Sequence, residues 1–131
     1  MLVAAASMIA EAETAFQEGI RLKQAGDIPA AITCFRRAAE LDESDPRYWV
    51  SLGVALSELH QWSEAVKVLT IGVGLKPHYA EADARLFLAE ALKASGDAEL
   101  ARKQLEIIAS MEPSYPSYDL PIDEAKRQLA L

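Results

Sequence analysis

Apolar residues recur three and four positions apart along most of the chain, and no stretch alternates apolar and polar residues as a strand would. Ala15, Phe16, Gly19, Ile20 and Leu22 mark one helical face. Ala25, Gly26 and Asp27 break the run, and Pro29 falls in the first turn of the next helix, where a missing N–H costs nothing. Ala31, Ile32, Phe35, Ala38 and Leu41 form a second face. Asp42 to Pro46 ends it, with Asp45 placed to cap the helix that follows. Tyr48, Trp49, Leu52, Gly53, Ala55 and Leu56 then lead to a turn at Leu59, His60 and Gln61. Trp62, Ala65, Val66, Leu69 and Leu75 follow, closed by Pro77. Leu86, Leu88, Ala89 and Leu92 lead to Ser95, Gly96 and Asp97. Leu100, Ala101, Leu105 and Ile108 follow, closed by Pro113.

The pattern repeats. Gly19 and Gly53 are 34 residues apart, as are Ala31 and Ala65, while Ala65 to Ala101 and Pro77 to Pro113 are both 36. Copies therefore span about 12–45, 46–79 and 82–115, with Ala80 and Glu81 inserted before the third. Gly19, Gly53 and Ala89 sit on the first helix of each copy, and Ala31, Ala65 and Ala101 on the second. A side chain no larger than a methyl lets two helix backbones approach closely, while larger neighbours fill the grooves beside it. The agreement in phase of small residues, large residues and proline breaks predicts three stacked helix hairpins. Residues 2–11 extend the first helix upstream. Past a linker holding Tyr115, Pro116 and Tyr118, a helix over about 120–130 has Ile122, Ala125 and Leu129 on one face. Such a terminal helix can cap a stack of repeats.

The run Trp49, Leu52, Gly53, Leu56, Ala65, Leu69, Gly72 and Pro77 resembles the tetratricopeptide-repeat (TPR) motif. The first copy matches at Gly19, Leu22, Gly26, Asp27, Ala31, Phe35 and Ala38, and departs with Ala15 at the Trp place, Glu18 at the Leu place and Glu43 at the Pro place. The third matches at Leu88, Ala89, Leu92, Gly96, Asp97, Ala101, Leu105 and Pro113, and departs with Arg85 at the Trp place and Ile108 at an Ala place. The resemblance implies an all-α superhelix, a TPR solenoid of three helix-turn-helix repeats with a capping helix, in one domain over 1–131.

It also implies a concave groove lined by the first helices, receiving a peptide or helix of a partner protein. The places facing that groove would hold Glu13, Phe16, Ile20, Lys23, Gln24, Arg47, Val50, Val54, Ser57, Asp83, Leu86, Glu90 and Lys93. Phe16, Ile20, Val50, Val54 and Leu86 would form an apolar strip beyond what each hairpin core needs. Three occupants of that strip remain open: a protein segment, a second copy in a homodimer, or the chain's own Leu2, Val3, Met8 and Ile9. Some TPR proteins hold acidic chaperone C-termini with a Lys, Asn and Arg clamp. The corresponding places here hold Phe16, Ile20, Ser51, Asp83 and Phe87, so that partner class is not expected. Asp45 to Gly53, with Gly72 in place of the usual Ala, is also similar to the middle repeat of bacterial type III secretion chaperones. That likeness implies a groove for an extended segment of a secreted substrate.

Composition narrows the chemistry. The net charge is −7 and the sequence pI about 4.8, which disfavours a phosphate backbone as partner. Residues 1–45 carry eight acids and four bases, 46–81 three of each, and 82–131 nine acids and six bases, so the middle of the chain is neutral. Cys34, the single cysteine, makes no internal disulfide and has no metal-ligand spacing around it. His60 and His78 lie 18 residues apart in different turns, with no nucleophile setting and no glycine-rich phosphate loop. No enzyme activity, catalytic residue, cofactor or metal is expected. The apolar N-terminus has no Lys or Arg before it and is followed by Glu11 and Glu13, the reverse of an export signal, and it is too short to span a bilayer. The expectation is a cytoplasmic protein without membrane insertion.

Overall fold

The computed structural model describes the backbone of residues 2–78 and 80–131, and side chains from Ala4 onward within that span. Among these residues the chain forms only helices: α1 (Leu2–Gln24), α2 (Ile28–Leu41), α3 (Pro46–Glu58), α4 (Trp62–Gly74), α5 (Glu81–Ala94), α6 (Ala98–Ala109) and α7 (Asp119–Leu129), with a single 3-10 turn at Pro116–Tyr118 before α7. Each helix packs chiefly on its neighbours in sequence, and the odd-numbered helices line up on one side. The fold is thus the all-α TPR-like solenoid read from the repeats.

The close approach inside the first two hairpins is set by glycine. A Cβ added to Gly19 would lie 2.6 Å from the Phe35 ring, and one added to Gly53 would lie 2.4 Å from Leu69 Cγ. Phe35 and Leu69 are 1% and 0% exposed, so neither can swing out of the way. The third hairpin has Ala89 and Leu105, both buried, at the equivalent places.

The hairpin turns share one backbone solution. The amides of Asp27, Gln61 and Asp97 each donate to the carbonyl five residues back, on Leu22, Leu56 and Leu92, at 2.8–3.0 Å. That closure puts the preceding residue in the left-handed region. Gly26 (φ 87°) and Gly96 (φ 93°) meet this freely, whereas the second turn meets it with His60 (φ 58°). Asp27 and Asp97 then cap the following helix by accepting from the amides of Ala30 and Leu100, at 3.3 and 3.1 Å. Gln61 makes no such bond. The second turn is therefore the weakest of the three, compensated in part by His60 stacking on Trp62 at 5.3 Å.

Of the occupants left open for the apolar strip, coverage by the chain's own Met8 and Ile9 is not seen. They lie on a continuous α1 and are 46% and 56% exposed, while the side chains of Leu2 and Val3 fall outside the described residues. At the other end, α7 packs on α6 and along the edge of α5. Tyr118 fixes its approach by donating a hydrogen bond to the His78 carbonyl.

Two stability outcomes follow from these contacts. Gly53→Ala gains up to about 1 kcal/mol of helix propensity but overpacks Leu69, so denaturant unfolding should show a net loss of about 1–2 kcal/mol. No loss would mean that α3 and α4 can part freely. Replacing His60 with Gly and Gln61 with Asp gives the second turn what the other two have. Thermal unfolding should show a gain of about 1–2 kcal/mol, and an unchanged melting temperature would contradict the strain assigned to His60.

Candidate partner-binding groove

α1, α3 and α5 present the inner face. They bury Ala12, Ala15, Leu52, Ala55, Leu56, Leu88 and Ala89 in the core, and Ile20, Val50 and Leu86 pack partly against it. Ile20, Val50, Val54 and Leu86 are only half-buried there. Val50 leans on Gly72, whose missing Cβ would stand 2.8 Å from Val50 Cγ2. Ser57 is half-buried and turns its hydroxyl back to the Gly53 carbonyl, 2.9 Å away. Ile20, Lys23, Gln24, Ser51 and the edge of Phe35 line one shallow recess of about 350 Å³. Leu86 and Asp83 line another of about 370 Å³ together with Leu120, Pro121, Asp123, Glu124 and Arg127 of α7.

Phe16 is not part of this open surface. It is 6% exposed, with its ring 5.8 Å from Phe35 and 5.0 Å from Tyr48. The Arg47 guanidinium lies over it, 5.0 Å from the ring centre. Phe16 thus joins the first two hairpins, as a core residue, and Arg47 covers the place that it would have offered to a partner.

Arg47 is itself held from two sides. Its Nη2 donates to Glu13 Oε2 at 2.7 Å and to Asp45 Oδ2 at 2.8 Å. The Tyr48 hydroxyl donates to the same Glu13 oxygen at 2.8 Å. Hydrogen bonds from Arg47 first, then Gln17 and Tyr48, hold the Glu13 carboxyl down to about 2. Burial first, and then the Glu13 bond, push the Tyr48 phenol up to about 12. Lys23 is likewise answered by Glu58 at 3.5 Å. Two of the three groove cations expected from sequence, Lys23 and Arg47, are therefore paired within the protein.

The third repeat differs. Asp83 and Glu90 make no ion pair or hydrogen bond among the described residues, and partial burial raises both carboxyls, with the negative charge of Glu124 adding to the effect at Glu90. Lys93 lies off this surface, in a recess between α6 and α7 with Ala98, Ala101 and Leu129. The α7 contribution, Leu120 above all at 81% exposed, was missed in the sequence. Leu120 stands off the Ile122, Ala125 and Leu129 face, which was the available sign that it does not serve the cap. Among the described residues no group of three His, Cys, Asp or Glu is placed to hold a metal ion, and no helix is long and apolar enough to cross a membrane.

Comparison with known proteins agrees with this architecture. Residues 50–117 match the family model described as "Tetratricopeptide repeat", and residues 19–60 match one described as "TPR repeat". Among solved structures, the chain is similar to the first TPR of Spaghetti (RPAP3) bound to an HSP90 peptide, with TM-score 0.75 and 20% identity over 94% of this chain and 96% of that one. It is similar to the Yersinia enterocolitica type III secretion translocator chaperone SycD, with TM-score 0.77 and 19% identity over 91% and 87%. PcrH in complex with the chaperone-binding region of PopD gives TM-score 0.80 and 22% identity over 90% and 87%. At these identities the likeness is one of fold.

The Glu13 cluster has a definite acid signature. An unfolded Glu13 titrates near 4.5 and the folded one near 2, so the ionised carboxylate favours the fold above pH 4.5, and that contribution fades as pH falls toward 2. Its side chain is 41% exposed, so the effect is small and screened by salt. Glu13→Gln should flatten the acid limb of the stability profile between pH 4.5 and 2 relative to the parent. Parallel limbs would show that the clamp does not form in solution.

Proposed function

Because the chain belongs to the tetratricopeptide-repeat family, we propose that it is a non-catalytic interaction module that receives a segment of a partner protein along the inner face of α1, α3 and α5. The observation that supports this reading is the row Ile20, Val50, Val54 and Leu86, apolar and only partly covered on three successive first helices. Lys23, Arg47, Ser57 and Glu90 border the row, and Phe16 supports it from beneath. Burying such a side chain against a partner contributes about 1.5–3 kcal/mol before the cost of ordering the segment.

A second reading is a chaperone that keeps a secreted substrate's segment extended. It draws on the length of α1, which runs exposed through residues 4–10 ahead of the first hairpin, and on the fold shared with SycD and PcrH. A third is self-association through that extension, with Met8 and Ile9 as its exposed apolar groups. Two measurements separate binding of a segment from self-association. Val54→Glu and Leu86→Glu should cut partner capture at least tenfold while leaving helicity and melting temperature close to the parent's. If capture fails only when the fold fails, the row is core and the interaction reading is wrong. Deleting residues 1–10 should alter the mass in solution only if the extension pairs copies.

A further inference from the structure

The inner face is electrically lopsided. In the first two repeats its cations are consumed by the protein's own acids: Arg47 by Glu13 and Asp45, and Lys23 by Glu58. At the α5–α7 end the balance reverses. Arg85 is turned away to Glu81 and Gln104, and Arg127 is held by Glu124. Asp83, Glu90 and Asp123 are left with no cation among the described residues. Asp83 and Asp123 line the same recess as Leu86, Leu120 and Pro121, and Leu120 leaves most of its side chain in water. A ligand that fits this end must cover an apolar floor and at the same time answer bare carboxylates. An acidic segment would add repulsion there and find no unpaired cation at the opposite end to offset it.

We propose, on the basis of the interaction reading above, that the occupant is a linear segment of a partner protein whose apolar side chains run along Ile20, Val50, Val54 and Leu86. Beside them it carries a lysine or arginine that seats in the α5–α7 recess against Asp83 and Asp123. The apolar row supplies most of the affinity. The cation fixes which way the segment lies, because only that end has carboxylates with no cation of their own among the described residues. Glu90 extends the acidic rim about two turns along α5, so a second basic residue adds affinity rather than crowding the first.

A random linear peptide library displayed on phage and selected on the full chain tests this, with Val54→Glu as the subtraction control. Selected peptides should combine apolar residues with Lys or Arg. Synthetic versions should bind about three- to tenfold more weakly when that Lys is replaced by Gln, and the gap should shrink in high salt. The double variant Asp83→Asn with Asp123→Asn should erase the gap while leaving the Gln peptide's affinity unchanged. Selected peptides that are acidic, or that show no basic bias, overturn the inference and leave the interaction reading standing. Selection that Val54→Glu does not diminish overturns both. A dimer that Val54→Glu converts to a monomer would identify a second copy as the occupant, and the inference fails on that outcome as well.

Discussion

The structure depends on how closely α1 meets α2 and α3 meets α4. Gly19 and Gly53 remove the one atom that would collide with Phe35 and Leu69, and those two side chains are sealed in the core as a result. Close approach inside a hairpin sets where its outer surfaces lie. It therefore sets how the next hairpin stacks, and how much of each first helix is left over on the inner side. The apolar row at Ile20, Val50, Val54 and Leu86 is a remainder in this sense. Each hairpin buries most of its Ala and Leu positions in its own core, and the row residues pack against that core on one side while leaving the other open. Gly72 shows the same economy at smaller scale, letting Val50 settle against α4 without leaving the surface.

The repeat frame was legible because small residues, large residues and prolines agree on one period. The three turns could be located from Gly26, Gly96 and the aligned His60, and the solved backbone explains why a glycine is wanted there: all three residues adopt positive φ. Legibility ended where contacts cross from one repeat to the next. Helical spacing puts Phe16 on the inward-facing side of α1, and it does point that way. It cannot show that Tyr48 and Arg47 of the following repeat lean over the ring. The same limit applied to Arg47. As a residue on a list of groove-facing places it looked available, whereas Glu13, thirty-four residues upstream, holds it. One full repeat separates that pair, so the periodicity that revealed the fold also contained the contact, but only a known stacking geometry turns equal phase into proximity.

The α7 surface was hidden for a different reason. Ile122 and Ala125 are buried and Leu129 packs partly against the core, as an amphipathic cap should. A cap is usually thought of as an end to the binding face. Here α7 lies along the edge of α5, so Leu120, Pro121 and Asp123 continue that face rather than close it. Leu120, with most of its surface in water, costs solubility at that position and does no packing that would offset it.

Ion pairing then shapes what the face can accept. An exposed pair such as Lys23 with Glu58 adds little stability, yet it has a consequence for recognition. A cation already matched by its own protein attracts an incoming carboxylate less, because the ligand must displace a partner held at high effective concentration. Repeating this at Arg47, with two acids and a phenol around one cation, leaves the α1–α3 half of the face with its cations paired and one acid in excess. Charge that is left over at Asp83 and Glu90 then dominates the field along the groove, although the two residues are few among the chain's acids. The direction in which a segment can lie is thus decided less by how many charges the protein carries than by which of them its own fold has already answered.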